Sequence, residues 1–195
     1  MTLRGVRQRT IVGIAGPPGT GKSTLVRRIV AELPTGTRAA VISMDGYHLS
    51  GTVLRALDRE SRKGAIDTFD STGFAVLMER LRMRASETVY APDFDHRMGE
   101  PIAASIAVPE DVDIVVTEGN YLLADEPQWK RARTAIDEVW YLRTPHETRL
   151  EQLIARHVAT GKSAEAAISW ANGSDENNAR LIERTAADAD LIIDA

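Results

Sequence analysis

The chain contains no cysteine. This absence excludes a disulfide framework, a thiolate nucleophile and a cysteine-ligated metal or iron–sulfur site, and it fits a cytoplasmic protein. Histidine occurs only four times, at positions too scattered for the ligand spacing of a metal site. No segment approaches the roughly 20 apolar residues of a membrane-spanning helix or forms a signal-peptide core, so no membrane partner is expected.

An excess of positive charge is also missing. Lysine and arginine together number 24 against 28 acidic residues, which gives a formal net charge of -4. Proteins that bind duplex nucleic acid usually carry a basic excess that displaces counterions, so no nucleic-acid partner is expected. With 195 residues, 43% of them hydrophobic, the chain suits one soluble domain over 1–195 with one core.

Short apolar segments alternate with amphipathic helical segments along the chain. Such alternation predicts an α/β fold in which a doubly wound parallel sheet has helices on both faces, a three-layer α/β/α arrangement. Thr144-Pro145 predicts a helix start with a threonine N-cap. The predicted strands are 10–15, 39–44, 113–117, 138–142 and 191–193, with 88–91 and 102–108 outside the main sheet, and the predicted helices are 23–33, 49–60, 73–84, 144–160, 163–171 and 175–187.

A glycine-rich segment, GPPGTGKS, follows the first predicted strand and matches the pattern G-x-x-x-x-G-K-[ST] in full. Its glycines allow backbone N–H groups to face phosphate oxygens, and the next helix directs its positive N-terminal end at the same anion. Lys22 is predicted to reach the β- and γ-phosphates, and the Ser23 hydroxyl to ligate Mg²⁺. Its place between a strand and a helix favours a P-loop for MgATP over a chance glycine-rich turn. The predicted nucleotide-binding residues are Gly16, Pro17, Pro18, Gly19, Thr20, Gly21, Lys22, Ser23 and Thr24.

Two carboxylates, Asp45 and Glu118, each follow a predicted strand and precede a glycine. Ligands of open α/β sheets bind beyond the carboxyl ends of the strands. One of these acids could accept the proton of an attacking hydroxyl and the other could hold Mg²⁺ through water. The alternative is that each acid only caps a loop.

Arg149 and Arg156 are seven residues apart and therefore share one face of a predicted helix. Guanidinium groups on such a face could close over transferring phosphates as a lid, stabilise their charge and exclude water. A solvated helix edge would show the same pattern.

Six segments, in this order, resemble the P-loop kinases of the uridine kinase, phosphoribulokinase and pantothenate kinase group. The resemblance covers nearly the whole chain and is strongest to a bacterial branch described as nucleoside/nucleotide kinase-like or as fructose transport system kinase. D-G-Y-H, F-D-H-R and the strand-end E-G are more specific than the P-loop. The segments are GPPGTGKS (16–23), SMDGYHL (43–49), RKGAIDTFD (62–70), YAPDFDHRMGEP (90–101), VVTEGNYLL (115–123) and TPHETRLEQLIARH (144–157).

The resemblance implies roles for residues at matching positions. Asp45 would be the catalytic base, and Ser23, Asp45 and Glu118 would form the metal site. Lys22 and the lid arginines Arg149 and Arg156 would act on the transferring phosphate. The segments 46–108 and 145–175 would be insertions that bind the acceptor and form the helical lid. The implied acceptor-binding residues are Asp45, His48, Phe94, His96, Arg97 and Glu118.

The chain is therefore predicted to be an ATP- and Mg²⁺-dependent kinase that transfers the γ-phosphoryl group to a hydroxyl of a small molecule. The acceptor would be sugar-, pantothenate- or nucleoside-like. Gly64 stands near the position at which uridine kinases have an aspartate that they use on the ribose, which speaks against a nucleoside. A regulatory ATP-binding module without transfer and a nucleoside monophosphate kinase remain alternatives. A homodimer is compatible with the sequence, which specifies no oligomeric state.

Overall fold

The computed structural model describes residues 9–83 and 86–195. Five strands form one sheet in the order β2-β5-β1-β6-β7, and all neighbours in it are parallel. Two further strands lie outside this sheet, as predicted, and they pair antiparallel as a hairpin. The strands are β1 (Thr10–Ala15), β2 (Ala39–Ser43), β3 (Val89–Asp95), β4 (Glu100–Val108), β5 (Ile114–Gly119), β6 (Glu138–Arg143) and β7 (Leu191–Asp194).

The helices flank the sheet on both sides. The second of them is much shorter than predicted over 49–60, because the chain turns out of the helix at Leu57 and Asp58 adopts a positive φ of 54°. Arg84, the predicted end of the third helix, lies outside the described residues. The helices are α1 (Lys22–Ala31), α2 (Gly51–Ala56), α3 (Ser71–Arg82), α4 (Pro127–Thr134), α5 (His146–Ala159), α6 (Ala164–Trp170) and α7 (Glu176–Glu183).

Buried apolar side chains form one cluster on each face of the sheet. On one face, Val26 of α1 packs with Ile14, Val116 and Leu142 of the strands. The other face is covered by α3 and α4, which bring a larger set of apolar and aromatic side chains against the sheet. Because the strands are covered on both faces, the fold is the predicted three-layer α/β/α arrangement. Buried members of the larger cluster include Ile11, Ile42, Phe74, Leu77, Val115, Trp129 and Val139.

Three local features differ from the predictions. The helix α4 was not predicted, because PQWKRART has only two buried residues, Trp129 and Ala132, among polar and charged ones. Thr144 is not an N-cap: α5 begins at His146, and the Thr144 hydroxyl donates to the Thr20 carbonyl at 3.1 Å instead. A π-helical turn, Ala171–Asp175, separates α6 from α7.

The parallel register brings the carboxyl ends of three strands to one edge of the sheet. Ala15, at the end of β1, is opposite Gly119 of β5, and Ser43 of β2 is opposite Glu118. The loops that follow these strands therefore meet at this edge. No helix within the described ranges is both long and apolar enough to span a bilayer.

Candidate active site

The P-loop follows β1 and leads directly into α1. Gly19 lies under α5, where a Cβ atom would be only 2.7 Å from the Arg149 carbonyl oxygen. Its φ of 86° also lies in the left-handed region, which glycine adopts without strain. A side chain at this position is therefore excluded by both the neighbouring helix and the backbone conformation.

The Lys22 ammonium group is buried against the P-loop itself. It donates to the Gly16 carbonyl at 2.8 Å, to the Pro17 carbonyl at 2.9 Å and to Asn120 Oδ1 at 2.9 Å. Burial lowers the pKa of Lys22 to about 8, because desolvation disfavours the charged form more than the nearby Glu118 carboxylate favours it. Asn120 was not predicted as a site residue, although it directly follows the E-G pair in the segment that carried the resemblance.

Glu118 lies at the end of β5, beside the first turn of α1. Its Oε1 accepts hydrogen bonds from the hydroxyls of Ser23 and Ser43, each at 3.1 Å. Burial is the main cause that raises the pKa of Glu118, and the neighbouring Asp45 carboxylate raises it further. The side chain is therefore a desolvated acid whose charged form would gain from a nearby cation.

The oxygen atoms at this point fit Mg²⁺. This ion prefers oxygen ligands, and it usually takes one or two carboxylates while substrate phosphates and water fill its other positions. Ser23 and Glu118 supply a hydroxyl and a carboxylate that already contact each other. Within residues 9–83 and 86–195 no group of three His, Cys, Asp or Glu side chains is placed to hold a metal ion.

Asp45 belongs to a tight turn, Met44–Tyr47, immediately after β2. Its backbone N–H donates to Ser43 Oγ at 3.2 Å, and its side chain is about 30% exposed. The next residue, Gly46, lies against the hairpin, where a Cβ atom would be 2.5 Å from the Pro92 carbonyl oxygen. This close approach fixes the turn, and with it the Asp45 carboxylate, between the sheet and the hairpin.

Two adjoining cavities meet at Asp45. The first, of about 270 Å³, is the phosphate cavity and includes the P-loop, Glu118 and Arg27. The second, of about 230 Å³, is the acceptor cavity and lies between the hairpin and the helices α5–α7. Residues that line both cavities are Pro18, Asp45, His96, Asn120 and Arg156.

Aromatic rings form one wall of the acceptor cavity. The His48 ring centre is 4.1 Å from that of Phe69 and 4.8 Å from that of Phe94, and its Nδ1 is 2.8 Å from the Asp45 carbonyl oxygen. Burial lowers the pKa of His48, which favours the neutral ring. Phe94 also contacts His96, whose ring centre is 5.2 Å away. Three of the predicted acceptor-binding residues thus lie together.

The phosphate cavity and the acceptor cavity together form one cleft. Arg97 lines neither of them. It lies beyond the end of β3, where its backbone N–H donates to Asp95 Oδ1 at 2.8 Å. It borders a neighbouring surface depression on the hairpin, which shares Phe94 and His96 with the acceptor cavity. A role of Arg97 in acceptor binding stays a prediction that the present position of the residue does not itself support.

The two predicted lid arginines lie in different environments. Arg156 lines both cavities. Arg149 is only 1% exposed and lies behind the P-loop, where it donates to the Pro18 carbonyl at 3.4 Å and pairs with Glu176 at 2.5 Å. In this conformation Arg156 faces the cleft and Arg149 does not, and the catalytic role of each stays a prediction.

Several residues of the acceptor cavity were not predicted. Lys63 follows the short turn between α2 and α3, within a segment that carried the resemblance but received no role. Most of the others come from the end of α5 onwards, where the only sequence signal is that polar residues accompany the apolar stripe. His157 Nε2 and Asp175 Oδ2 are 2.7 Å apart. The unpredicted lining residues of this part are His157, Thr160, Lys162, Trp170, Asp175 and Asn178.

Comparison with known proteins identifies the family of the chain. The model of the "Phosphoribulokinase / Uridine kinase family" matches residues 11–195. A protein of Schizosaccharomyces pombe described as a putative uridine kinase is 32% identical over 196 residues, which covers 96% of this chain and 83% of that relative. A phosphoribulokinase of Synechocystis is 29% identical over 191 residues, which covers 94% of this chain and 52% of the relative.

Among solved structures, a putative fructose transport system kinase from a Silicibacter species is similar over nearly the whole chain. The two share 36% sequence identity with a TM-score of 0.88, and the match covers 99% of this chain and 93% of the other. The family match, together with the P-loop and the carboxylates around it, supports one conclusion. The chain belongs to the phosphoribulokinase / uridine kinase family of kinases.

Proposed function

We propose that the chain transfers the γ-phosphoryl group of MgATP to a hydroxyl of a small molecule bound in the acceptor cavity. The observation that carries this proposal is the position of Asp45, whose side chain lines both the phosphate cavity and the acceptor cavity. A carboxylate between two substrates can orient the acceptor hydroxyl and take its proton during an in-line transfer.

Other residues have supporting roles in this mechanism. Lys22 leaves the P-loop carbonyls and donates to the β- and γ-phosphates. Arg156, which also lines the phosphate cavity, neutralises the charge of the transferring phosphoryl group. Ser23 and Glu118, with Asp45 beside them, would hold Mg²⁺, which supplies charge neutralisation of the phosphate oxygens when it is bound. His48 and Phe94 provide a rigid wall that positions the acceptor, and His96 lies where the two cavities join.

We further propose that 46–108 binds the acceptor and 145–175 acts as a lid. The acceptor cavity supports this division because its lining comes mainly from these two segments, with Asn178 just beyond the second. Closure of the lid would exclude water from the transferring phosphoryl group, which limits wasteful ATP hydrolysis.

The direct test measures ADP release from MgATP in the presence of fructose, ribulose, ribose, glycerate, pantothenate, uridine and nucleoside monophosphates, each in turn. The proposal expects ADP that depends on a hydroxyl acceptor. Acceptor-dependent ADP with nucleoside monophosphates alone would favour a nucleoside monophosphate kinase. MgATP binding without any acceptor-dependent ADP would favour a regulatory ATP-binding module. The relatives described as a putative uridine kinase and as a phosphoribulokinase are named for different acceptors, so their names do not indicate which of these compounds the chain uses.

The affinity for MgATP is expected to fall as the pH rises through about 8. Burial lowers the pKa of Lys22 to about 8, so above that pH the amine is largely neutral before MgATP binds. Phosphate oxygens favour the ammonium form, so binding above this pH must take up a proton. The dissociation constant should then rise by up to about tenfold per pH unit.

Calorimetric titration between pH 7 and 9.5 would measure this dependence. Lys22→Arg is the matched control, because a guanidinium stays charged over the whole range and should remove the dependence. A dissociation constant that stays constant for the wild-type protein would show that Lys22 remains charged when the site holds no nucleotide.

A further inference from the structure

Lysine is scarce in this chain, and most of it is concentrated in the cleft. Only four of the 24 basic residues are lysines: Lys22, Lys63, Lys130 and Lys162. Lys22 lines the phosphate cavity, whereas Lys63 and Lys162 line the acceptor cavity. Lys130 lies on α4, where it pairs with Asp125 at 2.9 Å. The phosphates of ATP account for Lys22, but they do not account for the two lysines of the acceptor cavity.

Neither lysine of the acceptor cavity has a carboxylate partner among residues 9–83 and 86–195. The Lys63 ammonium donates to the Gly99 carbonyl and lies 5.4 Å from the centre of the Phe94 ring. The Lys162 ammonium lies 4.6 Å from the centre of the Trp170 ring. An ammonium has three donors, so each of these partly buried groups can still bind an anion.

Among the described residues, the two carboxylates of the acceptor cavity are not paired with these lysines. Asp45 lies at the junction with the phosphate cavity, where the proposed function uses it on the acceptor hydroxyl. Asp175 is 7% exposed, and one of its oxygens already contacts His157 Nε2 at 2.7 Å. Lys63, Lys162 and Asp175 line only the acceptor cavity, so the part of it that does not adjoin the P-loop carries two ammonium groups and one carboxylate that is bound to His157.

We propose that the acceptor carries an anionic group, a carboxylate or a phosphate, in addition to the hydroxyl that is phosphorylated. Lys63 and Lys162 bind this group, while the hydroxyl lies at Asp45. The inference rests on the proposed function and names the substrate class of the same site. Lysine suits this role because a flexible ammonium binds carboxylate or phosphate as a point charge.

Binding of the anion would also join the two walls of the cavity. Lys63 belongs to the connection between α2 and α3, and Lys162 to the connection between α5 and α6. One anion held by both would draw the second connection, which lies within the proposed lid, towards the body of the domain. A neutral acceptor offers no comparable link, so it would leave two cations unpaired inside a closing site.

The test compares acceptors that differ chiefly in the anionic group: glycerate with glycerol, pantothenate with panthenol, and ribulose 5-phosphate with ribulose. Acceptor-dependent ADP release is measured for each pair. The anionic member of at least one pair should have a kcat/KM at least about tenfold higher, since a charge-assisted hydrogen bond favours binding to that extent. Its KM should also rise with added salt. The first and second pairs test a carboxylate, and the third tests a phosphate.

Three variants connect the effect to the two lysines. Lys63→Gln and Lys162→Gln should each raise the KM for the anionic acceptor about tenfold and leave the affinity for MgATP unchanged. Lys130→Gln removes a paired lysine outside the cleft and should behave as the wild type. If Lys63 acted only by binding the Gly99 carbonyl, its replacement would change kcat/KM for anionic and neutral acceptors by the same factor. The ratio of the two kcat/KM values therefore separates the two roles.

The outcomes separate the inference from the proposed function. Equal or better use of the neutral members would overturn the inference and leave the kinase assignment intact. If no compound supports ADP release, the proposed function fails, and calorimetric titration with glycerate and ribulose 5-phosphate decides the inference. Binding that Lys63→Gln weakens would support an anion site, whereas no binding, or binding that both glutamine variants retain, would overturn it.

Discussion

Replacement of Asp45 by asparagine is expected to lower acceptor-dependent ADP release by about 10²–10⁴-fold, the usual contribution of a general base. The amide has nearly the shape of the carboxylate but cannot take the proton of the acceptor hydroxyl. The turn that holds Asp45 should persist, because the backbone N–H of residue 45 donates to Ser43 Oγ and Gly46 lies against Pro92. The loss should therefore appear in kcat rather than in stability.

The affinity for MgATP must be measured on the same variant. It should stay close to the wild-type value, because the P-loop supplies the main phosphate contacts. Asp188→Asn is a matched control: Asp188 is exposed in a short turn before β7, and its replacement makes the same change in charge far from the P-loop in sequence. Full turnover by Asp45→Asn would remove Asp45 as the base and leave the transfer without an identified proton acceptor.

Replacement of Glu176 by leucine is expected to lower the free energy of unfolding by about 3–5 kcal/mol. The Arg149 guanidinium is only 1% exposed, and Glu176 is its carboxylate partner. Leucine would leave this buried cation with two hydrogen-bond partners among the described residues, the Pro18 carbonyl and the His146 ring. Arg149 Nε already lacks a hydrogen-bond partner among the described residues, so no spare acceptor compensates for the loss.

Urea unfolding of two further variants makes this experiment specific. Arg180 also pairs with Glu176, at 3.6 Å, but its side chain is 68% exposed. Arg180→Met should therefore change the free energy of unfolding by at most about 1 kcal/mol. The double variant Arg149→Met/Glu176→Leu should recover part of the stability, because it removes both charges together.

The result also bears on the lid. If Glu176→Leu costs less than about 1 kcal/mol, Arg149 must find another anion or solvent, which requires the guanidinium to leave its place behind the P-loop. Such mobility would suit a role on the transferring phosphate. A large loss would instead identify Arg149 as a residue that supports the P-loop from behind and leave Arg156 to face the cleft.

These two arginines show how far sequence patterns could predict the site. Helical periodicity correctly placed Arg149 and Arg156 on one helix, α5. Seven residues correspond to about 10 Å along a helix, so the first guanidinium lies against the P-loop and the second beyond it. The pattern gives the relation of the two side chains to each other. It contains nothing about the position of α5 over the sheet, which depends on contacts with residues far away in sequence.

The phosphate cavity could be predicted because each of its parts has a local sequence signal. Strand, glycine-rich turn and helix are consecutive, Asp45 follows β2 and Glu118 lies at the end of β5, and both of these strands have an easily recognised apolar run. The part of the acceptor cavity that comes from the end of α5 onwards was not predicted, because its residues meet through a turn that has no local sequence signal. A π-helical turn brings Asp175 into contact with His157, and no periodic pattern predicts a turn of that kind.

The order of the strands has a consequence for biosynthesis. Thr10 of β1 pairs with Ile114 of β5, and Val12 pairs with Glu138 of β6, so both partners of the central strand are encoded about a hundred residues later. A ribosome that has translated the P-loop needs about 5–20 s more before those partners exist. During this interval the apolar β1 has no neighbour on either side in the sheet. The nucleotide-binding motif is thus synthesised well before the two strands that hold β1 in the sheet.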